Sequence, residues 1–493
     1  MRKIDHLANT SDLPMKRSMA MQLWYNQNLR FQALAFLLLF FTALLLSWYL
    51  DVKTFWYDAN GYWVMGDETL ASGKFHLLDF KEVRRGCLFP LLLLGFKKIF
   101  CGVWGWRVLS ALMVSFIFSV LLPIVFNISF SRGTLLRAFA AELFFFYVWG
   151  DFAQHPLADL PAAFFCMAAI CVCIKLQKNY SNDFVHYILW FRRILLCCLA
   201  GIFFYAAYNT RIIYLYSIII ALTFYFFTER RKIVIIPLLS ILLGISFASI
   251  PQCMINHKYH GSYSAKVDTT YSGIDLRTQQ LFWGVTYPKY ETYIGETNKY
   301  PIPSVYFDDR VGWAMLKRES LTLDSFSLRS ITHLFVKYPL DMIGIYTRHL
   351  IAIMTPAWNE TYISNLQTNK VFLVLSSIGV WLIAGLYLSL TSWRSANLKH
   401  ITGYLVAIVV PCLMQTLGAT EIRYFLPCYL LLYGLVFFKV AYRDLFANVM
   451  ANKFKIAAIL FIIAILWISL FGTILAMNRV QVMLISDYAL PSH

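Results

Sequence analysis

Asp58 stands in the run Trp56-Tyr57-Asp58-Ala59-Asn60-Gly61-Tyr62-Trp63, with Tyr62 four residues further on. On a helix that spacing sets the two side chains on one face. A carboxylate walled by aromatic rings is partly desolvated, so its pKa is expected to rise and it could act as a general base toward a hydroxyl. The alternative is an Asp that caps a short helix. Asp67 and Glu68 read first as solvated face residues; with Tyr57 and Tyr62 they are the candidate substrate-binding neighbours of Asp58. A second acid, Asp159 in Leu157-Ala158-Asp159-Leu160-Pro161, opens a long apolar run and is either the N-cap of that helix or a functional group. Gln154 and His155 precede it as further candidates for substrate contact, His155 reading as a helix-end hydrogen-bonding residue before a metal ligand.

Four arginines complete the set: Arg84 and Arg85, Arg211 in Tyr208-Asn209-Thr210-Arg211, and Arg423 in Thr420-Glu421-Ile422-Arg423-Tyr424. Guanidinium is shaped to hold phosphate through paired N–H donors, and beside a bilayer the obvious phosphate is lipid-borne. Each arginine taken singly could instead snorkel to headgroups, and Arg423 could pair with Glu421. Acids that handle a proton and arginines that hold a lipid phosphate describe group transfer from a membrane-embedded donor. Neither a G-x-x-x-x-G-K-[ST] loop nor a G-x-G-x-x-G turn is present, so no nucleotide has an evident cradle. The sequence requires no cofactor, and a divalent cation at the acids is left open.

The elements that must position these residues are apolar helices. Of the 493 residues, 59% are hydrophobic and 14% charged, the composition of an all-α polytopic membrane protein. About eleven spans are expected, near residues 31–50, 104–128, 135–150, 159–176, 194–209, 212–228, 233–251, 371–391, 401–418, 425–442 and 456–476. The net charge of +17 is spread in short basic groups between apolar runs, which is a topology signal rather than a nucleic-acid footprint. Arg2, Lys3, Lys16, Arg17, Arg30, Arg192, Arg193, Arg230, Arg231 and Lys232 then fall on the cytoplasmic side, with the candidate site outside. Residues 1–30 form a cytoplasmic segment, 31–251 a membrane module with its first outer loop at 51–102, and 252–370 a small outer cap. The last spans occupy 371–476, and 477–493 form an outer tail. The apolar piece Cys87 to Phe100 is too short to span and is expected to lie as a helix at the interface. The ten cysteines show neither zinc spacing nor a disulfide framework.

These segments resemble the GT-C superfamily of membrane glycosyltransferases, which includes aminoarabinose transferase and the protein O-mannosyltransferases. Asp58 to Tyr62 is similar to the family's D-x-x-x-Y motif after the first span. Arg85 with Pro90-Leu91-Leu92-Leu93-Leu94 and Phe96-Lys97 resembles its basic residue and following P-L-L-L stretch. Asp159 resembles an acid that opens the fourth span, Gly201 through Arg211 a G-to-R spacing, and Arg423-Tyr424-Phe425-Leu426-Pro427 an R-Y-x-L-P stretch. The resemblance implies a sugar donor carried on polyprenyl phosphate, a glycan or lipid-linked acceptor, Asp58 and Asp159 as catalytic acids, and Arg85, Arg211 and Arg423 at the donor phosphate. It also implies a bacterial inner-membrane protein with a periplasmic site, with glucosylation of lipopolysaccharide O-antigen as one form of the activity. Gly86 and Cys87 stand where relatives carry two prolines, and Ala59 where a second acid often follows, which points to a single-carboxylate mechanism.

Two other activities fit parts of the pattern. An O-antigen ligase or polymerase would depend on Arg and His of an outer loop and has no need of the early acid. A transporter or flippase for lipid-linked sugars would gather polar residues near the bilayer midplane around interrupted helices. The chain's main midplane acid is Glu142, expected to pair with Arg137 or to meet water.

Overall fold

A computed structural model describes residues 12–81, 85–178, 187–228, 235–268, 270–271, 274–294, 304–307, 309–354, 360–363, 371–390, 396–451 and 457. The first helix, α1 (Asp12–Leu50), ends where the chain turns through Asp51 at a φ of 44°, and Tyr57 at 42° opens the short α2 (Tyr57–Met65). Both lie in the left-handed region that side chains other than glycine rarely occupy, which places backbone strain ahead of Asp58, at Asp51 and at Tyr57, the residue just before it. Asp51 is held there by Arg107 at 2.8 Å and Lys53 at 2.8 Å.

Next come α3 (Leu88–Ile99), α4 (Val103–Phe116) and, beyond a π-turn at Ile117–Leu121, α5 (Leu122–Val125). The twelve-residue α3 matches the expected interfacial piece and packs its Phe89 and Leu93 with Tyr62 and Trp106. Long helices follow: α6 (Arg132–Gln154), α7 (Asp159–Lys178), α8 (Tyr187–Thr210), α9 (Leu215–Thr228) and α10 (Ile235–His260). Helices α8 and α10 cross at Gly201 and Gly244, where an added Cβ would fall 2.0 Å from the carbonyl oxygens of Ile241 and Cys198. Such backbone-to-backbone approach is how helices associate where lipid removes the hydrophobic drive.

Among the described residues, seven helices are long and apolar enough to cross a membrane: Asn28–Leu50, Val103–Val125, Asp159–Gln177, Phe191–Thr210, Ile235–His260, Phe372–Leu390 and Ile422–Lys439. Two shorter apolar helices, Ile212–Phe227 and Thr402–Gln415, fall on expected spans, as does α6, whose Arg137, Glu142 and Asp151 lower its apolarity. The count of eleven is therefore not reached among the described residues, and, residue 457 aside, the run at 456–476 and the tail at 477–493 lie outside them. Arg137 donates to the Phe438 carbonyl at 3.4 Å instead of pairing with Glu142, which is fully buried with no hydrogen-bond partner among the described residues.

The segment expected as a cap is a small folded unit. It contains α11 (Leu276–Thr286), α12 (Arg310–Arg318), α13 (Leu328–Lys337) and α14 (Pro339–Met354), with Val285, Met315, Leu334, Met342 and Ile345 in a core of their own. After the two-stranded pair β1 (Thr270–Tyr271) and β2 (Ile274–Asp275), a sheet is built on β3 (Lys289–Tyr293). It pairs antiparallel with β4 (Ser304–Phe307) and parallel with β5 (Tyr362–Ile363). Between α12 and α13, Glu319 bonds Lys337, Tyr338 and His333, and these contacts hold its carboxyl down at about 2. A depressed carboxyl stabilises the fold above its unfolded pKa and loses that contribution as pH falls. Thermal unfolding of the wild type should thus weaken between pH 4.5 and 2 more than that of Glu319→Gln. The chain closes with α15 (Val371–Leu390), α16 (Ala396–Gln415), α17 (Leu426–Tyr433), which runs into a π-turn at Gly434–Lys439, and α18 (Tyr442–Ala451).

Candidate functional site

Asp58 lies in the first turn of α2, but its carboxylate caps nothing; the N-cap is Trp56, which makes no side-chain bond. One carboxylate oxygen pairs with Arg85 and the other takes Arg423 Nη2 at 3.1 Å. Beside this pair, Arg211 Nη2 meets Asp159 Oδ1 at 2.5 Å. Tyr424 joins the two halves, its ring 4.8 Å from the Arg211 guanidinium and 5.5 Å from that of Arg423, while Arg85 lies 4.6 Å over the ring of Tyr62. Glu421 completes the group by binding both Arg423 and the Tyr424 hydroxyl. The sequence expectation of one meeting point for these acids and arginines is what the fold places here: residues 58, 85, 159, 211 and 423 come from five separate segments.

The cluster is set deep in protein, yet the Asp58 side chain keeps 40% of its surface open, whereas Asp159 keeps 5%. Asp58 is thus the accessible acid of the charged cluster and Asp159 its buried one. Asp159 does not act as a helix cap: its second oxygen has no partner among the described residues, and the carbonyl of Ala158 takes the first helical N–H instead. Burial pushes the Asp58 carboxyl up, as expected from its aromatic walls, but the guanidiniums of Arg85, Arg423 and Arg211 outweigh it and hold the carboxyl far below its ordinary value. The expected rise is overturned because the three cations that meet it are remote in sequence. Glu421 goes the other way, burial raising its carboxyl despite Arg423. The two carboxylates are thus shifted in opposite directions, Asp58 by cation contact and Glu421 by burial.

A buried chain of amides aligns Arg85 with Arg211. Asn209 Oδ1 accepts from Leu88 N at 2.9 Å, its Nδ2 donates to Gln252 Oε1 at 3.0 Å, and that oxygen also takes Cys87 N at 3.2 Å. Gln252 then donates to Asn256 Oδ1 at 3.0 Å, and Asn256 binds the Ser264 and Lys266 carbonyls at 2.6 and 2.8 Å. The turn after Arg85 can approach α8 only because residue 86 is glycine: an added Cβ would sit 1.9 Å from the Asn209 carbonyl oxygen. Gly86→Ala should cost about 1–3 kcal/mol through this overlap, read as a lower unfolding temperature, and should displace both arginines.

On the other side the cap grips the Arg423 loop. The carbonyl of Thr420 accepts from Tyr290 N in β3 at 3.0 Å, and its hydroxyl lies 2.7 Å from His349 Nδ1 of α14. Gly284 of α11 packs so close to Leu417 that a Cβ would fall 1.8 Å from its carbonyl oxygen. The same β3 carries β5, whose Tyr362 hydroxyl accepts from Ala59 N at 3.1 Å, one residue after Asp58.

The remaining expected contacts divide. Tyr62 belongs to the recess through Arg85. Tyr57 is exposed at its rim, with its ring 6.2 Å from that of Tyr362. Asp67 is not there: Lys97 holds it at 2.7 Å while also donating to the Trp63 carbonyl, locking α2 to α3. Glu68 accepts from Lys81 N, and Gln154 donates to Ser47 at 2.8 Å, joining α6 to α1. His155 lies 3.5 Å from Asp151 and edge-on to Tyr362, a wall behind the site as a helix-end residue would be. Arg84 lies outside the described residues. Tyr424, Tyr362 and Asn209 were not singled out as site members by sequence, though Tyr424 and Asn209 stand in the strings around Arg423 and Arg211; Glu421 was weighed only as a partner of Arg423, which it is. No group of three or more metal-ligating side chains occurs among the described residues. Comparison with known proteins returns nothing: no family model, no curated protein and no solved structure matches the chain.

Proposed function

We propose that the protein transfers a sugar from a polyprenyl-phosphate donor to an acceptor hydroxyl at the non-cytoplasmic face of a membrane, with about eleven spans and a cytoplasmic N-terminus. The reading is supported above all by three arginines and two acids from separate segments sharing one recess at the ends of apolar helices, with Asp58 at its open surface. In the apo site Asp58 neutralises Arg85 and Arg423. A donor phosphate takes over those guanidiniums, and Asp58, released from them, regains basicity where the acceptor arrives. Asp58 then accepts the hydroxyl proton as the acceptor oxygen bonds the anomeric carbon. The bond from that carbon to the phosphate oxygen breaks with inversion, and its electron pair leaves with polyprenyl phosphate, stabilised by Arg85, Arg211 and Arg423. Preorganised donors of this kind typically supply several kcal/mol. The bacterial inner membrane is the setting we favour, with O-antigen glucosylation as one form of the reaction.

The test is a liposome assay with the purified protein and polyprenyl-phosphate-linked sugars, read by mass spectrometry of lipid-linked sugars and acceptor glycans. Transfer to acceptor supports the reading. Movement of the lipid-linked sugar between leaflets without transfer would replace it with a flippase, and use of a diphosphate-linked glycan alone would replace it with a ligase.

A further inference from the structure

Two cap helices carry outward faces that the cap's own core does not use. On α13 the residues Leu328 and Val336 point outward, and on α14 Leu340, Ile343 and Leu350 do so; Leu340 is 82% exposed, Val336 78% and Leu328 70%. The opposite faces, through Ile331, Leu334, Met342 and Ile345, fill the cap core. Positions 328, 332 and 336, and 340, 343, 347 and 350, are helical stripes. Their polar members are Thr332 and Thr347, and both turn their hydroxyls back onto carbonyls of their own helix, Leu328 at 2.9 Å and Ile343 at 2.8 Å. A face whose hydroxyls are satisfied internally asks nothing of water.

The far end of α14 packs among the apolar helices. Ile351 packs against Ile378, Val374 and Leu382 of α15, and the Ile353 carbonyl accepts from the Tyr429 hydroxyl at 2.7 Å. Ile378 lies about 10 Å inside α15 at 1.5 Å per residue, and Tyr429 is equally far into the apolar helix Ile422–Lys439. The last turn of α14 therefore sits within the thickness those helices span. Arg348, the basic residue of α14, is turned to Asp309 at 2.6 Å, while on α13 Arg329 is exposed beside the stripe and Lys337 at its end is paired with Glu319.

We propose that α13 and α14 form a membrane-seated hairpin, α14 descending into the hydrocarbon of the leaflet on the cap side and α13 lying along that leaflet at headgroup depth. The partner of this face is lipid. The inference stands apart from the reaction chemistry. Replacing Leu340, Ile343 or Val336 in the full chain by the photoreactive p-benzoylphenylalanine, then irradiating in phospholipid liposomes and analysing by mass spectrometry, tests it. Phospholipid adducts at these positions, with none when Asp324 in the loop before α13 is replaced, are expected. A covalent dimer at the same positions would overturn the proposal in favour of a second copy of the chain, and no adduct at any of them would leave the face in water and overturn it as well. A variant that fails to insert is separated by flotation, and the neighbouring exposed site Leu350 then serves in its place.

Discussion

Asp58→Asn should abolish sugar transfer while leaving the donor bound, and bound more tightly than in the wild type. The loss follows from the proton: an amide cannot take it, and a positioned base is typically worth about 10²–10⁴-fold in rate. The gain in affinity follows from the ion pairs. Arg85 and Arg423 each give up one anionic partner, Arg423 keeping Glu421, so both have more to offer an incoming phosphate. A side chain that only braced the fold would lose binding and stability together. Donor binding and single-turnover transfer measured on the same liposomes separate these outcomes, and full activity in the variant would remove Asp58 from the chemistry. The raised carboxyl of Glu421 offers an internal comparison. Glu421→Gln should disturb Arg423 and Tyr424, but with 11% of its side chain open it is the less accessible of the two acids to an acceptor.

The second large effect is on stability. Arg211→Ala strips the partner from a carboxylate that is only 5% exposed and whose other oxygen is already without a bond among the described residues. Breaking a buried pair by removing one member costs about 3–5 kcal/mol because the survivor is left charged and dry. Unfolding in detergent should therefore move to markedly lower temperature. Adding Asp159→Asn should recover much of the loss, since a neutral amide tolerates burial better than a lone charge. Transfer should not recover, because the donor phosphate has still lost Arg211. A double variant that regained activity along with stability would confine Arg211 to a structural role.

The spans were legible because a bilayer imposes one length and one composition on whatever crosses it, and ten of the eleven apolar runs coincide with helices. What was illegible was depth of apolarity in individual segments: α6 is 23 residues long but carries acids and bases that serve packing and positioning. At the site, Asp58, Arg85, Asp159, Arg211 and Arg423 could be named from residue type and from their places at the ends of apolar runs. Their pairing could not, and the pairing decides the electrostatics. Aromatic neighbours within the local string suggested a carboxyl raised by burial, while the arginines that reverse the sign come from 27 and 365 residues away. Asp67 illustrates the converse, since an acid beside the motif was drawn off by Lys97, thirty residues later. Asn209 and Gln252 carried no signal at all, being ordinary amides in apolar helices until the fold lines them up behind Gly86.

The bond between Asp58 and Arg423 spans 365 residues of chain. During biosynthesis the early helices are threaded into the membrane while Arg423 is still on the ribosome or not yet translated. A nascent polypeptide that stalls or is clipped before the late helices insert would hold the Asp58–Arg85 pair without Arg423. On the proposed reading, assembly order would keep unfinished chains from engaging lipid-linked substrate, a safeguard that arises from connectivity alone.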